Sequence, residues 1–301
     1  MRWLCYHPQV RAPSSQPPIA ILGTGLIGGS LGLALRRAGY RGEIRGFDRG
    51  PVLSRARRRR AVDVGTEDLE SACRGARIIF LALPIGAILD LLPRVAACAS
   101  RGALITDAGS TKRRICAAAQ TVFQKAGAKF LGGHPMAGRE AGGVENARAD
   151  LFEGAAWLLV SAPAEAAGAR RRARPWLELL DQIGAQPLWT DPATHDSAMA
   201  RLSHLPQLLS TTLACTLDER FATAAWRPLL AAAGPGARDM LRLAASPYGL
   251  WRDILLTNSD EIEAALHELQ QTLEEMRSGL RGREMERLFA AAAALARRLR
   301  A

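Results

Sequence analysis

The chain has 301 residues, 48% of them hydrophobic and 23% charged, with a formal charge of +11. That composition supplies a sizeable core and excludes a disordered chain. Five scattered cysteines without a C-x-x-C spacing exclude a disulfide framework and a structural zinc site, and they favour a reducing, cytoplasmic setting. The longest apolar run, Ile78–Leu89, is interrupted by Pro84 and Gly86, short of the ~18 residues a membrane span needs. Only three of the 40 basic residues are lysine (Lys112, Lys125 and Lys129), so the arginine excess reads as compositional bias as readily as a basic partner.

Residues 1–17 read as a flexible tail. Ile19–Leu22 has strand length and runs into Gly23-Thr24-Gly25-Leu26-Ile27-Gly28, followed by an amphipathic stretch that Gly39 stops. Further strands are expected at Glu43–Phe47, Arg77–Leu83, Ala103–Thr106, Lys129–Gly132, Ala156–Val160 and Gln186–Thr190, the last at a sheet edge. Helices are expected at Ile85–Ala99, Lys112–Ala126 and Arg170–Ile183. Short buried strands alternating with helices imply a parallel, doubly wound α/β sheet. After Asp191-Pro192, a helix-start signal, the pattern is helical to the end. The chain thus divides into a Rossmann-type domain over 18–190 and an all-helical domain over 191–301.

Gly23-x-Gly25-x-x-Gly28, with a strand before it, a helix after it and Asp48 twenty positions beyond Gly28, has the form of a dinucleotide site. Gly23 allows the tight turn, Gly25 the approach of a pyrophosphate, and Gly28 close helix–strand packing. The first turn, through Leu26 and Ile27, offers N–H donors to phosphate. Asp48 would accept from ribose hydroxyls and repel a 2′-phosphate, favouring NAD over NADP, although Arg49 could accommodate that phosphate.

Three other segments hold polar residues. Ser110 lies in Asp107-Ala108-Gly109-Ser110-Thr111-Lys112, after a strand whose carboxyl end faces the ligand crevice; ordinary helix capping by Asp107 or Ser110 is the competing reading. His134 follows Lys129–Gly132 among small residues, which favours a ligand role over a structural one. In the helical half, Ser203, His204, Gln207, Ser210 and Thr211 share one side of a helix that Pro206 should kink, where a solvated stripe is the default. Arg238 and Arg242 stand i, i+4 and could grip a carboxylate, although spacing alone does not single them out.

Together, GTGLIGGSLGLAL at 23–35, DAGSTK at 107–112, GGHPMAGRE at 132–140, HD at 195–196, SHLPQL at 203–208 and GARDMLRLAASPYGLWRDIL at 236–255 resemble the prephenate and arogenate dehydrogenase family of tyrosine biosynthesis. The resemblance implies His134 as the catalytic hydrogen-bonding residue and Ser110 on the same substrate hydroxyl. It implies Arg242 on the ring carboxylate, Arg238 adding charge there, and His204 lining the substrate cleft. Glu140 and Asp239 would temper Arg242. Gln207 stands where many members have a substrate-contacting histidine, which leaves prephenate or arogenate open. The family's helical halves join into a homodimer. With eighteen residues before the first strand and an end at Ala301, neither a fused chorismate mutase domain nor a C-terminal ACT domain is expected.

The implied reaction is NAD-dependent oxidative decarboxylation, with no metal. Three alternatives stand beside it. A β-hydroxyacid dehydrogenase would need a lysine from the helical half, and no lysine follows Lys129. A nucleic-acid-binding protein would use the charge and the run Arg55–Arg60, but that run fits a solvated helix face, and few aromatics accompany it. A catalytically dead NAD sensor conflicts with the intact His134, Ser110 and Arg242. The expected partners are therefore small molecules, with neither nucleic acid nor membrane.

Overall fold

The computed structural model describes residues 16–124, 126–138 and 141–300. Most of the tail expected over 1–17, and Glu140, lie outside the described residues. The strands are β1 (Ile19–Leu22), β2 (Ile44–Phe47), β3 (Val64–Thr66), β4 (Ile78–Leu81), β5 (Leu104–Asp107), β6 (Lys129–Pro135), β7 (Ala156–Val160) and β8 (Gln186–Thr190). They form one sheet in the order β3-β2-β1-β4-β5-β6-β7-β8.

The central strands β1 and β4 are uninterrupted, fully buried apolar runs because both faces of the sheet are covered there. Ile19, Ile21 and Phe80 enter one core with Leu31, Trp157 and Trp176. The alternate residues Ala20, Leu22, Ile79 and Leu81 enter the other with Ile88, Leu92 and Ile115. Successive side chains of a strand point to opposite faces, which yields this two-sided burial.

The sheet departs from the sequence expectation in four places. β3, only three residues long and at the edge, has too little alternation to be seen in sequence. β6 and β7 run antiparallel; among the described residues of their connection the one helical element is the short turn Val144–Asn146, with no crossover helix. That pairing extends β6 past Gly132 to Pro135, with His134 opposite Leu158; His134 is therefore a strand residue and not part of a following loop. The expected helix Arg170–Ile183 is two helices, Ala166–Arg172 and Arg174–Gln182, since Pro175 begins a new helix more easily than it continues one.

The chain forms two compact units. One runs to Asp196 and also takes in Ser246–Thr257; the other comprises Ser197–Ala245 and Asn258–Ala301. Ser246–Thr257, C-terminal to the sequence division at residue 190, belongs to the first unit, and its helix Tyr248–Thr257 buries Ile254 in the second core cluster of that unit. In that unit Asp253 also accepts the N–H of Gly86 at 2.9 Å, and the hydroxyls of Thr257 and Thr111 meet at 2.7 Å.

In the second unit, every described element is helical. Pro206 lies in an unbroken helical run whose regular hydrogen bonding is disturbed just before it. A π-helical turn, Ala200–His204, runs directly into Leu205–Phe221, where Pro206 is the second residue, the local irregularity expected where a proline removes an i→i−4 hydrogen bond. The polar stripe is only partly solvated: Thr211 is exposed and Ser203 half-buried, but His204, Gln207 and Ser210 are buried, whereas Leu202 is 69% exposed.

Candidate active site

The turn after β1 leads into helix Leu26–Arg37 where the strand order reverses between β1 and β4, the position at which open α/β sheets bind ligands. Gly23 has φ +93°, and a Cβ there would lie 2.3 Å from the Ala82 carbonyl oxygen. A Cβ on Gly28 would lie 1.9 Å from the Gly23 carbonyl oxygen, so the bare Cα is what lets helix and turn approach. Gly25 differs, because a Cβ there would meet nothing within 4 Å. No side chain caps the helix and no acidic residue occupies its first turn. The donors of Leu26, Ile27 and Gly28 therefore join the positive end of the helix dipole beside open space.

Asp48 follows β2. Its Oδ2 accepts the Thr24 N–H at 2.8 Å and the Thr24 hydroxyl at 3.2 Å, and its Oδ1 accepts the Arg49 N–H at 2.8 Å. Thr24, fully buried, thus orients the carboxylate. As a variable position inside the glycine motif it gives no sequence signal. A cavity of about 580 Å³ is lined by Gly23, Gly25, Asp48, Arg49, Leu83 and Pro84, among others. Arg55 also lines it and is ion-paired with Glu145. The open cradle at Gly25, the uncapped helix end and the oriented carboxylate fit a dinucleotide.

A second constellation forms at the ends of β5 and β6. Asp107 and Lys112, neither exposed, form an ion pair. Asp107 also accepts the N–H groups of Gly109 and Gly133, each at 2.9 Å, and Lys112 Nζ donates to the Gly133 carbonyl at 2.8 Å. Gly133 has no room for a side chain, since a Cβ would lie 2.4 Å from the Asp107 carbonyl oxygen. His134 follows, buried, with Nδ1 3.0 Å from His195 Nε2. His195 Nδ1 in turn lies 2.7 Å from Asp196 Oδ1.

Helix Arg113–Phe123 is capped by neither Asp107 nor Ser110. Asp196 takes that role, accepting the N–H of Lys112 at 2.6 Å and of Arg113 at 2.9 Å. Ser110 is left half-buried in the turn before the helix. Burial pushes the His195 imidazole below its ordinary pKa despite the opposing bond to Asp196. Burial alone would raise the Asp196 carboxyl, but His195 and the two backbone N–H groups outweigh it and hold it below the usual carboxylate range.

The structure thus places Gly23, Gly25, Leu26, Ile27, Gly28, Asp48, Ser110 and His134 in the first unit, and His204, Gln207, Arg238 and Arg242 in the second. In the latter, Asn258 Nδ2 lies 3.3 Å from His204 Nδ1. The Gln207 amide donates to the Leu243 carbonyl at 2.9 Å, and the Ser210 hydroxyl accepts the Ala244 N–H at 2.9 Å. Both polar residues therefore anchor the turn Arg242–Ala245 that begins with Arg242. Arg238 and Arg242 themselves are exposed. The Arg55–Arg60 run is partly structural: besides the Arg55 pair, Arg59 donates to the carbonyls of Glu145 and Ala147 at 2.5 and 2.7 Å. Lys112, His195 and Asp196 are the residues that sequence reasoning left without a role.

Two family models match, described as prephenate dehydrogenase, nucleotide-binding domain, over residues 31–186 and prephenate dehydrogenase, dimerization domain, over residues 191–293. A prephenate dehydrogenase of Lactococcus lactis is 36% identical over 261 residues, covering 86% of this chain and 70% of that one. The solved structure of prephenate dehydrogenase from A. aeolicus, in complex with hydroxyphenyl propionate and NAD+, superposes with a TM-score of 0.82 at 27% identity, covering 95% of this chain and 98% of that one. Synechocystis arogenate dehydrogenase gives 0.76 at 28%, covering 94% and 99%. With both halves matched in order, the chain belongs to the prephenate dehydrogenase family.

Proposed function

We propose that this protein catalyses the NAD-dependent oxidative decarboxylation of prephenate to 4-hydroxyphenylpyruvate. The observation that carries this reading is the buried His134 at the end of β6, clamped through Gly133 and hydrogen-bonded to His195, in the same unit as an open glycine cradle. Gly23, Gly25, Leu26, Ile27, Gly28 and Asp48 would hold the dinucleotide. NAD, when bound, would supply the acceptor for the hydride, a hydrogen with two electrons, that leaves the substrate's C4. His134 accepts the proton of the 4-hydroxyl as the carbonyl forms, and Ser110 orients that hydroxyl. Arg242, with Arg238 adding charge, holds the ring carboxylate, and His204 and Gln207 shape the site around it. As the C1–carboxylate bond breaks, its electrons enter the ring. CO₂ leaves, and the proton on His134 returns to the phenolate oxygen.

Arogenate is the second reading, favoured by the likeness to the Synechocystis enzyme and by Gln207, which carries no charge. The helical unit would join two copies into a homodimer; the dimerization-domain match and exposed Leu202, Leu229, Leu230 and Phe289 support this. Among the described residues, no helix is long and apolar enough to cross a membrane, and a cytoplasmic location is part of the same proposal. Crossing prephenate and arogenate with NAD⁺ and NADP⁺ in a turnover assay tests it. Turnover fastest with prephenate and NAD⁺ is expected, and no turnover of either substrate would refute it.

A further inference from the structure

We infer that His195 and Asp196 form a positioning relay that fixes the tautomer of His134 and shares the charge it acquires, an inference that rests on His134 being the base. The Asp196 carboxylate accepts the backbone N–H groups of Lys112 and Arg113 and lies 3.3 Å from Arg113 Nε. It is an acceptor towards each of these donors, so the 2.7 Å contact with His195 Nδ1 places the proton on that nitrogen. His195 is fully buried and held neutral, so its Nε2 carries a lone pair. That lone pair faces His134 Nδ1 at 3.0 Å. His134 must then donate from Nδ1, and its Nε2 becomes the proton-accepting nitrogen.

A free imidazole favours the opposite tautomer, with hydrogen on Nε2, in which His134 could not act as a base at that atom. The relay removes this loss before substrate arrives. When the substrate O–H bond breaks and the Nε2–H bond forms, the Nδ1–H contact to His195 becomes charge-assisted. The proton on Nδ1 can then move towards His195 Nε2, where Asp196 stabilises the resulting imidazolium. Among the described residues, the titratable or charged groups around the dyad include Lys112, Asp107, Arg113 and Cys116. Lys112 and Asp107 neutralise each other. Burial pushes the Cys116 thiol up to about 12, so it stays neutral.

The test combines ¹⁵N NMR of the imidazoles at pH 8 with kinetics of His195→Leu and His195→Gln; the chain has five histidines, few enough to assign. His134 is expected as the Nδ1–H tautomer in the wild type and as the Nε2–H form or a mixture in His195→Leu. That variant should lower kcat for prephenate about 100-fold, with KM and the NAD⁺ Kd within about threefold. His195→Gln, whose amide oxygen can accept from Nδ1–H, should recover about tenfold of the loss. An Nε2–H tautomer in the wild type, or near-normal kcat in His195→Leu, overturns the relay. If His195→Leu does not fold, the wild-type tautomer and the His195→Gln kinetics decide. A wild type inactive on both prephenate and arogenate would refute the proposed function, while the tautomer measurement still tests the relay.

Discussion

Lys112 donates its ammonium to the carbonyl of Gly133 at 2.8 Å, and through that bond the turn after β5 holds the residue next to His134. Asp107 closes the clamp by accepting the Gly133 N–H and pairing with Lys112, with neither side chain exposed. Removing one partner strands the other charge in the interior, which costs about 3–5 kcal/mol. Lys112→Met should lose that much in denaturant unfolding, and Lys112→Met with Asp107→Asn should recover part of it. A loss under about 1 kcal/mol in the single variant would show that the pair is not holding the strand ends together.

His134→Asn should lower kcat by roughly 10²–10⁴, the range for losing a general base. The NAD⁺ Kd should stay within about twofold, because the glycine cradle is untouched. Equilibrium titration beside steady-state kinetics separates the two quantities.

The glycines of the turn should respond oppositely to alanine. At Gly25 a Cβ meets no protein atom, so Gly25→Ala should fold normally and weaken NAD⁺ binding about tenfold or more. At Gly28 the Cβ would collide with Gly23, so Gly28→Ala should lower Tm by several degrees, as a backbone clash costs about 1–3 kcal/mol. Thermal melts with and without NAD⁺ distinguish these outcomes.

Stability should fall on acidification in two stages. The unfolded chain protonates His195 near its ordinary pKa of about 6.5, whereas the folded imidazole is held lower. Below that pH the unfolded state binds the extra proton, so stability is lost as pH falls towards the folded value. Asp196, also held low, contributes stability above the ordinary carboxylate value of about 3.9, lost as pH falls through its folded value. His195→Gln should flatten the Tm profile just below about pH 6.5, leaving the more acidic loss in place.

Arg242→Gln should raise KM for prephenate roughly 10- to 100-fold, equivalent to about 1.5–3 kcal/mol for a charged hydrogen bond, with a smaller effect on kcat. An unchanged KM would remove the carboxylate role from Arg242.

The glycine turn, Asp48 and the small residues around His134 were legible in sequence because each signal is local, a strand, a turn and a helix in unbroken succession. Thr24, Lys112 and Asp196 were not, because their partners lie 24, 21 and 84 positions away and only the folded sheet brings them together. The burial of His204, Gln207 and Ser210 is hidden in the sequence for a related reason. Helical spacing shows which residues share a side, but not whether water or the turn Arg242–Ala245 covers it. β3 escaped notice through brevity, and the reversal of β7 because no residue pattern marks a strand's direction.

The return of Ser246–Thr257 to the first unit means that the polypeptide passes between its two units three times rather than once. No single cut yields two self-sufficient pieces. A fragment ending at Asp196 would bare the seat of Ile254 and leave the Gly86 N–H and the Thr111 hydroxyl without Asp253 and Thr257. Such a fragment should be recovered in folded form only when a peptide spanning residues 246–257 is supplied alongside it.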